Sequence, residues 1–406
     1  MPNGDNWQGD VLRDLRGGAE PPVRDAAVPA GQAPARGFPP PGGEVPVHAA
    51  GPGGQPQRAA ISPGQAPGSA PAHPYQGQVP PQHSGGGWQP ARHPQTAVRS
   101  TPDARPAVDR SLAAVGRKPR RGEPFAARAG RTLWRIVSSS AAREVAEATR
   151  TAEMLQQPVT TGRQIAVTSI RGGAGKSTVA ALLGSTYAHY RQDPVLCVEA
   201  DPALGSLPLR LGAEALRWTT GEVANIVEPQ MSLLDVTGYL VQLRDNAWLL
   251  PGSQGQIGAM LDTGSYERVM VALRRYFGVS VVDCETLPAE VARVALSASQ
   301  ARVLTTPATL DGIVSTFAVL QWMQGLPPHM LAGTAVVITE QAPHAGIDLA
   351  EAARMLSSTG PSVHVLPYDR HLAGGGPIRT GLLAHATRTA ATRIAADVFQ
   401  LSQKRH

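Results

Sequence analysis

Three things are scarce in this chain of 406 residues: lysine, cysteine and long apolar runs. Only Lys118, Lys176 and Lys404 are lysine, so 34 of the 37 basic residues are arginine. Two cysteines, Cys197 and Cys284, both inside apolar stretches, rule out a disulfide framework and predict buried thiols in a reducing cytoplasm. No apolar run reaches 18 residues, which excludes a helical membrane span, and the polar start Met1-Pro2-Asn3-Gly4-Asp5 predicts no signal peptide. There is no C-x-x-C pair, and His371 and His385 stand isolated, so no zinc site is expected. No G-x-S-x-G elbow and no internal repeat is present.

What is abundant is unevenly placed. Residues 1–130 hold 23 of the 37 prolines and 20 of the 43 glycines, too little apolar content to offset the entropy of ordering. The composition predicts a disordered Pro/Gly/Ala/Gln-rich tail over 1–115, in which Pro39-Pro40-Pro41 or Pro80-Pro81 could dock an aromatic groove on a partner protein or serve only as solvated linker. The formal charge of +6 is matched by residues 111–150 alone, where nine basic side chains face three acidic ones. A basic helical neck is therefore expected over 116–158, with Leu133, Val137, Ala141, Val145 and Ala148 at helical spacing and Arg128, Arg131 and Arg135 on one face. Such a helix can lie on an anionic membrane surface, touch DNA or pack on the domain that follows.

That domain is expected over 162–402. Apolar runs at 165–167, 195–198, 247–250, 279–282, 302–304, 335–338 and 363–366, mostly separated by helical patterns, predict an α/β fold with a mostly parallel twisted sheet and helices on both faces.

The chemistry concentrates where the first run ends. Ser169-Ile170-Arg171-Gly172-Gly173-Ala174-Gly175-Lys176-Ser177-Thr178 lies between a strand pattern and a helical one. Glycines let consecutive N–H groups converge on phosphate oxygens, and the helix N-terminus adds partial positive charge. Lys176 supplies a compact ammonium and Ser177 a hydroxyl for Mg²⁺. In a chain that otherwise writes arginine, a lysine kept inside this loop points to a space that a guanidinium fork would overfill. The second run ends in Glu199-Ala200-Asp201-Pro202, whose Asp201 either holds a water or the metal's water shell at the ligand crevice or caps a helix. The fourth ends in Val282-Asp283-Cys284-Glu285, where Asp283 fits the acid that reaches Mg²⁺ through water in P-loop enzymes.

These residues resemble the MinD/ParA branch of P-loop ATPases, whose loop reads K-G-G-x-G-K-[ST] where this chain has Arg171-Gly172-Gly173-Ala174-Gly175-Lys176-Ser177. Leu249-Leu250-Pro251-Gly252-Ser253 is similar to the family's segment after the third strand, and Leu366-Pro367-Tyr368-Asp369 to its late P-x-D element, which sets Pro367 beside the nucleotide. Within the branch, the Pro-rich tail, the basic neck and the loop look like actinobacterial EspI-type ATPases associated with type VII secretion, and the Arg/Ala/Pro/Gly-rich composition suits such a source.

The resemblance implies ATP and Mg²⁺ as ligands and an ATP-closed homodimer, a slow ATPase switch in the cytoplasm or peripheral at the inner membrane face. It also implies a secretion-machinery partner reached through the tail. By position, Arg171 would reach the partner's phosphates, Lys176 the β/γ-phosphates of its own subunit, and Thr178 the α-phosphate. Ser177 would hold magnesium, Asp201 the water and Asp283 the metal's outer shell. The chain departs from the family pattern in four places: Arg171 replaces lysine, Glu199 replaces the first switch I aspartate, Asp283-Cys284-Glu285-Thr286-Leu287 lacks the switch II proline and glycine, and Thr339 stands for an adenine-contacting asparagine. Two other readings remain open at this stage: a positioning ATPase for chromosome or cell pole on DNA or membrane, and a nucleotide-bound scaffold that does not hydrolyse. A bacterial tyrosine kinase, another user of this loop type, is disfavoured: the chain shows no C-terminal tyrosine cluster, and Tyr368 is its last tyrosine.

Overall fold

The computed structural model describes residues 101–108, 119–124, 141–203, 205–256 and 258–404. Most of the expected Pro/Gly-rich tail and the Arg128, Arg131 and Arg135 face lie outside the described residues.

In chain order the strands are β1 (Arg105–Pro106), β2 (Arg163–Ser169), β3 (Val195–Ala200), β4 (Ala215–Leu216), β5 (Val241–Gln242), β6 (Ala247–Leu250), β7 (Val279–Cys284), β8 (Ala301–Pro307), β9 (Thr334–Thr339) and β10 (Ser362–Leu366). The helices are α1 (Ala141–Leu155), α2 (Lys176–Tyr190), α3 (Leu207–Leu211), α4 (Thr220–Ala224), α5 (Leu233–Thr237), α6 (Thr263–Leu273), α7 (Glu290–Ala298), α8 (Leu310–Met323), α9 (Pro328–Ala332), α10 (Leu349–Ser357) and α11 (His385–Gln403).

Eight strands form one sheet in the order β10-β9-β8-β2-β7-β3-β6-β5, parallel throughout except for the antiparallel edge β5. Each of β3, β7 and β9 is buried along its whole length, which is why their sequences read as continuous apolar runs rather than alternating ones. On one face α2 and α11 pack with Tyr187, Leu183 and Phe399 at the centre; on the other lie α6 and α7 with Tyr266, Leu273 and Ala295. A third cluster under α8 and α10 joins Leu320 and Leu356 to Val336 and Ile338 of β9.

β2 is flanked by β7 and β8, so the chain leaves it in one direction and returns on its other side. This reversal opens a crevice at the C-terminal end of β2, the place where open α/β sheets bind ligands.

α1 docks through its last turn. Thr151 and Leu155 are buried, and the buried Arg191 donates from Nη1 to the carbonyls of Leu155 (2.7 Å) and Gln157 (3.0 Å), satisfying groups the helix end leaves open. Arg191 also pairs with Asp193 and lies over Phe399 at 4.5 Å, which ties α1, α2 and α11 together. Of the apolar stripe read from the sequence, Val145 is 65% exposed and Ala148 is exposed, while Thr151 and Leu155 further along the helix are buried. α11 meets the helix at its middle as well, where Arg393 donates to Glu147 at 2.8 Å.

Two pieces of chain ahead of α1 are held to this body. β1 pairs with β4, and Ala107 donates to the Glu214 carbonyl at 3.0 Å. Residues 119–124 form a strap over the segment joining β10 to α11: Gly122 donates to Leu382 O (2.8 Å), and His385 donates its N–H to Glu123 Oε1 (2.5 Å). Gly122 is buried, and no larger residue fits, because a Cβ there would stand 2.4 Å from Ala384 N and from an Asp369 carboxylate oxygen. Among the described residues, no helix is long and apolar enough to cross a membrane.

Candidate functional site

The loop between β2 and α2 takes its shape from two left-handed glycines, Gly173 (φ 75°) and Gly175 (φ 82°), a region that side chains with a Cβ rarely adopt. Space around Gly172 and Gly173 is open: a Cβ on either would meet nothing within 4 Å. Ala174 between them is buried. Gly175 caps α2 with no side-chain cap, so the first N–H groups of a 15-residue helix, which begins Lys176-Ser177-Thr178, have no capping side chain. The loop is anchored from β9, since Thr339 Oγ1 donates to Ala174 O at 3.1 Å and Gln341 donates its amide to Gly173 O. Ser169 Oγ closes the other side by donating to Arg171 O at 2.7 Å.

Lys176 Nζ donates to Thr286 Oγ1 at 3.1 Å, and this draws the segment after β7 onto the loop. Thr168 Oγ1 donates to Glu285 O (2.8 Å) and Leu287 N to Ser169 O (2.9 Å), so that segment is fastened along the end of β2.

Three acids gather beside the lysine. Asp283, the fifth residue of β7, is fully buried, and neither carboxylate oxygen has a hydrogen-bond partner. Burial pushes its carboxyl up to about 7, against pulls from the nearby Ser177 hydroxyl and the Lys176 ammonium and with a further push from Asp201. Ser177 acts on it from nearby, but not in good hydrogen-bond geometry. Opposite Asp283 on β3 sits Glu199, 3% exposed, whose Oε2 accepts from Gly252 N at 3.1 Å. Burial pushes Glu199 up to about 8, opposed by that N–H and reinforced by the charges of Asp283 and Asp201. Its Oε1 has no hydrogen-bond partner in good geometry and faces Gly205, where a Cβ would stand 2.3 Å away. Asp201 follows β3 half-buried, and its carbonyl accepts from Gly205 N at 2.9 Å. The helix begins only at Leu207, after Ser206, so Asp201 is not its N-cap.

Unpaired buried carboxylate oxygens are costly unless something cationic meets them. Asp283, directed towards Ser177 and Lys176, fits the outer shell of a hydrated divalent cation at the head of α2, with Ser177 as the hydroxyl ligand. Among the described residues no group of three or more His, Cys, Asp or Glu could hold a metal by itself.

Arg171 stands half-exposed at the rim. Its Nε donates to Ser315 Oγ at 3.1 Å and its Nη1 lies 3.5 Å from Asp311 Oδ2, both on α8. Pro367 follows β10, which is separated from β2 in the sheet by β9 and β8. The route between them runs through β9: Glu340 N donates to Leu366 O (3.0 Å), Tyr368 N to Glu340 Oε2 (3.2 Å), and Thr339 reaches the loop. The loop pattern does not reveal Thr286, Gln341 or the Gly252 contact to Glu199. Of these, Gly252 carried a sequence signal, its place in the Leu249-Leu250-Pro251-Gly252-Ser253 segment.

No protein-family model matches the chain. Among curated proteins it is 28% identical over 229 residues to the ESX-1 secretion-associated protein EspI of Mycobacterium tuberculosis (strain H37Rv), covering 54% of this chain and 34% of that one. It is 31% identical over 152 residues to the septum site-determining protein MinD of Thermotoga maritima, covering 36% of this chain and 53% of that one. The chain thus spans about a third of EspI and about half of MinD. Among solved structures, a ParA family ATPase from Chlorobium tepidum TLS aligns with 58% of this chain and 98% of its own, at 14% identity and a TM-score of 0.49. MinD complexed with Mg-ADP from Pyrococcus horikoshii OT3 aligns with 60% and 98%, at 19% identity and a TM-score of 0.43. Over these stretches the chain is similar in sequence to EspI and to MinD.

Proposed function

We propose that this chain binds ATP with Mg²⁺ at the loop 171–178, hydrolyses it slowly, and uses the nucleotide state to close and reopen a homodimer that serves a type VII secretion machinery. The observation that carries the reading is the conjunction at the head of α2: an open glycine loop ending in Lys176, and a buried, unpartnered Asp283 beside Ser177. Triphosphate would lie along the loop N–H groups with Lys176 exchanging Thr286 for phosphate oxygens. Magnesium, when bound, would neutralise phosphate charge, with Ser177 and Asp283 holding its coordination sphere. Asp201, at the end of β3, would hold the water. Phosphoryl transfer asks mainly for positioning and charge, which these groups supply.

The dimer is supported by the rim. The Arg171 contacts on α8 join half-exposed partners, and exposed ion pairs of this kind are worth at most about 1 kcal/mol, so a second subunit's phosphates could draw the guanidinium away. On the same helix Leu310 is 69% and Val314 58% exposed, an apolar pair one turn apart next to Arg171. The link to secretion is supported by the similarity to EspI, whose name describes it as secretion-associated. The Pro-rich tail would carry the state to that partner.

Light scattering after size exclusion, with ATP, ADP or no nucleotide, tests the reading. Lys176→Ala is expected to abolish nucleotide binding, and Arg171→Ala to bind ATP while remaining monomeric. An Arg171→Ala protein that dimerises with ATP as the unmodified chain does would remove the trans role.

A further inference from the structure

Glu285 lies outside the loop pattern, yet the sheet delivers it to the same place. β3 and β7 run parallel with Glu199 opposite Asp283 and Ala200 opposite Cys284. One step further along each chain stands a carboxylate, Asp201 after β3 and Glu285 after β7. Glu285 is two residues beyond Asp283, the spacing that returns a side chain to the same face of an extended strand.

Its backbone is held on both flanks. Thr168 Oγ1 donates to its carbonyl at 2.8 Å, Leu287 N donates to Ser169 O at 2.9 Å, and Thr286 between them accepts from Lys176 at 3.1 Å. Every one of these partners lies on β2 or at the start of α2, so Glu285 is fixed relative to the phosphate loop itself. Asp201 and Glu285 thus follow directly on the last paired residues of two neighbouring parallel strands.

The acids also differ in access to water. Asp283 is fully buried on the floor of the site and Glu199 is 3% exposed, whereas Glu285 and Asp201 are only half-buried at the rim. A group that handles a water entering from solvent must sit at that level, and Glu285 shares it with Asp201.

We propose that Glu285 is a catalytic carboxylate of ATP hydrolysis, holding the attacking water together with Asp201 and accepting its proton. The inference rests on the hydrolytic reading above. In the step, the water oxygen forms a bond to the γ-phosphorus while the bond from that phosphorus to the β,γ-bridging oxygen breaks. The bridging electron pair leaves on ADP, and one proton of the water passes to the Glu285 carboxylate, from which it returns to solvent. The chain lacks the proline and glycine that follow the corresponding acid in the MinD/ParA pattern, and a glutamate whose carbonyl is held by Thr168 gives that segment a different task.

The test uses the full chain with Mg²⁺ and measures ATP turnover and the affinity for a fluorescent ATP analogue in parallel, for the unmodified protein, Glu285→Gln, Glu285→Asp and Lys176→Ala. Glu285→Gln is expected to lower kcat about 100-fold, the scale of a positioned general base, with nucleotide affinity within about threefold. Glu285→Asp, which keeps the carboxylate on a shorter stem, should recover part of the loss. Thermal melting of both variants within a few degrees of the unmodified chain separates the effect from misfolding. A Glu285→Gln protein with kcat within threefold of the original overturns the proposal, as does a loss of affinity as large as the loss of rate. Turnover by the unmodified chain no higher than by Lys176→Ala removes the hydrolytic reading and this role together. Clear turnover that Glu285→Gln leaves unchanged removes this role alone.

Discussion

Gly122→Ala should release the strap 119–124 from the body of the protein. The added Cβ would stand 2.4 Å from Ala384 N and 2.4 and 2.6 Å from the two Asp369 carboxylate oxygens. Those oxygens cannot swing aside at low cost: Oδ1 accepts from His371 N (2.7 Å) and Leu372 N (3.3 Å), and Oδ2 from Ala384 N (2.8 Å), all in a buried setting. Each buried donor left unpaired costs about 1–3 kcal/mol, so losing all three costs roughly 3–9 kcal/mol. The strap itself is held by less. It would give up the Gly122 to Leu382 bond and the Glu123 to His385 bond, each worth about 0.5–1.5 kcal/mol net. The strap therefore moves, at a loss of roughly 1–3 kcal/mol of docking, which lowers its docked-to-released ratio about 5- to 150-fold. Arg120 and Arg121 are exposed within the strap, so limited trypsin digestion reads its release directly. Cleavage there should accelerate about tenfold or more, because proteolysis tracks the population of the open form. Gly381→Ala is the matched control, since a Cβ at Gly381 meets nothing within 4 Å. Equal cleavage rates in Gly122→Ala and the unmodified chain would refute the reasoning.

Two further outcomes follow from buried contacts. Gly184 on α2 faces β3 so closely that a Cβ would lie 2.4 Å from Cys197 Sγ, so Gly184→Ala should be destabilising. Overpacking costs about 1–3 kcal/mol and exceeds the ~1 kcal/mol gained by removing a helical glycine; adding Cys197→Ala should restore most of the loss in urea unfolding, and an undiminished midpoint for Gly184→Ala alone would contradict the packing. Asp283 and Glu199 are both held above the ordinary carboxylate range by burial, to about 7 and about 8, so each binds its proton more tightly folded than unfolded. Their contribution to nucleotide-free stability is therefore complete below the unfolded carboxylate range near pH 4 and is lost as pH rises through 7 to 8. Asp283→Asn should flatten that decline and raise the melting temperature at pH 8 by a few degrees, on the order of 1–2 kcal/mol. Melting curves at pH 5 to 8 that run parallel for the two proteins would show that the Asp283 carboxyl does not carry the effect.

The sheet was legible because burial on both faces leaves no room for polar alternation. Seven apolar runs in the sequence lie within seven strands, from β2 to β10. What escaped was short or non-periodic: the antiparallel edge β5 and the β1–β4 pair have two residues each and no pattern to read. In the neck, helical spacing shows which residues share a stripe but not which residues find a neighbour: Thr151 and Leu155 are buried while Val145 and Ala148 stay exposed.

The site divides along the same physical line. Residues that act through backbone conformation, the glycines ahead of Lys176, announce themselves locally because few other residues tolerate φ near 75–82°. Those that act by reaching across the sheet do not. Thr339 and Gln341 come to the loop only because β9 ends level with it, more than 160 residues downstream, and nothing about a threonine after an apolar run says where the run will be placed. Glu199 shows the limit most sharply. In sequence it is a longer acid in an aspartate's place; in the structure the extra length carries Oε2 to Gly252 N and leaves no room for a Cβ at Gly205. The same carboxylate thus touches both the turn after β6 and the turn after Asp201. A change at Glu199 would move Asp201 and the Gly252 turn together, a coupling that the sheet order creates and that no local pattern in the chain contains.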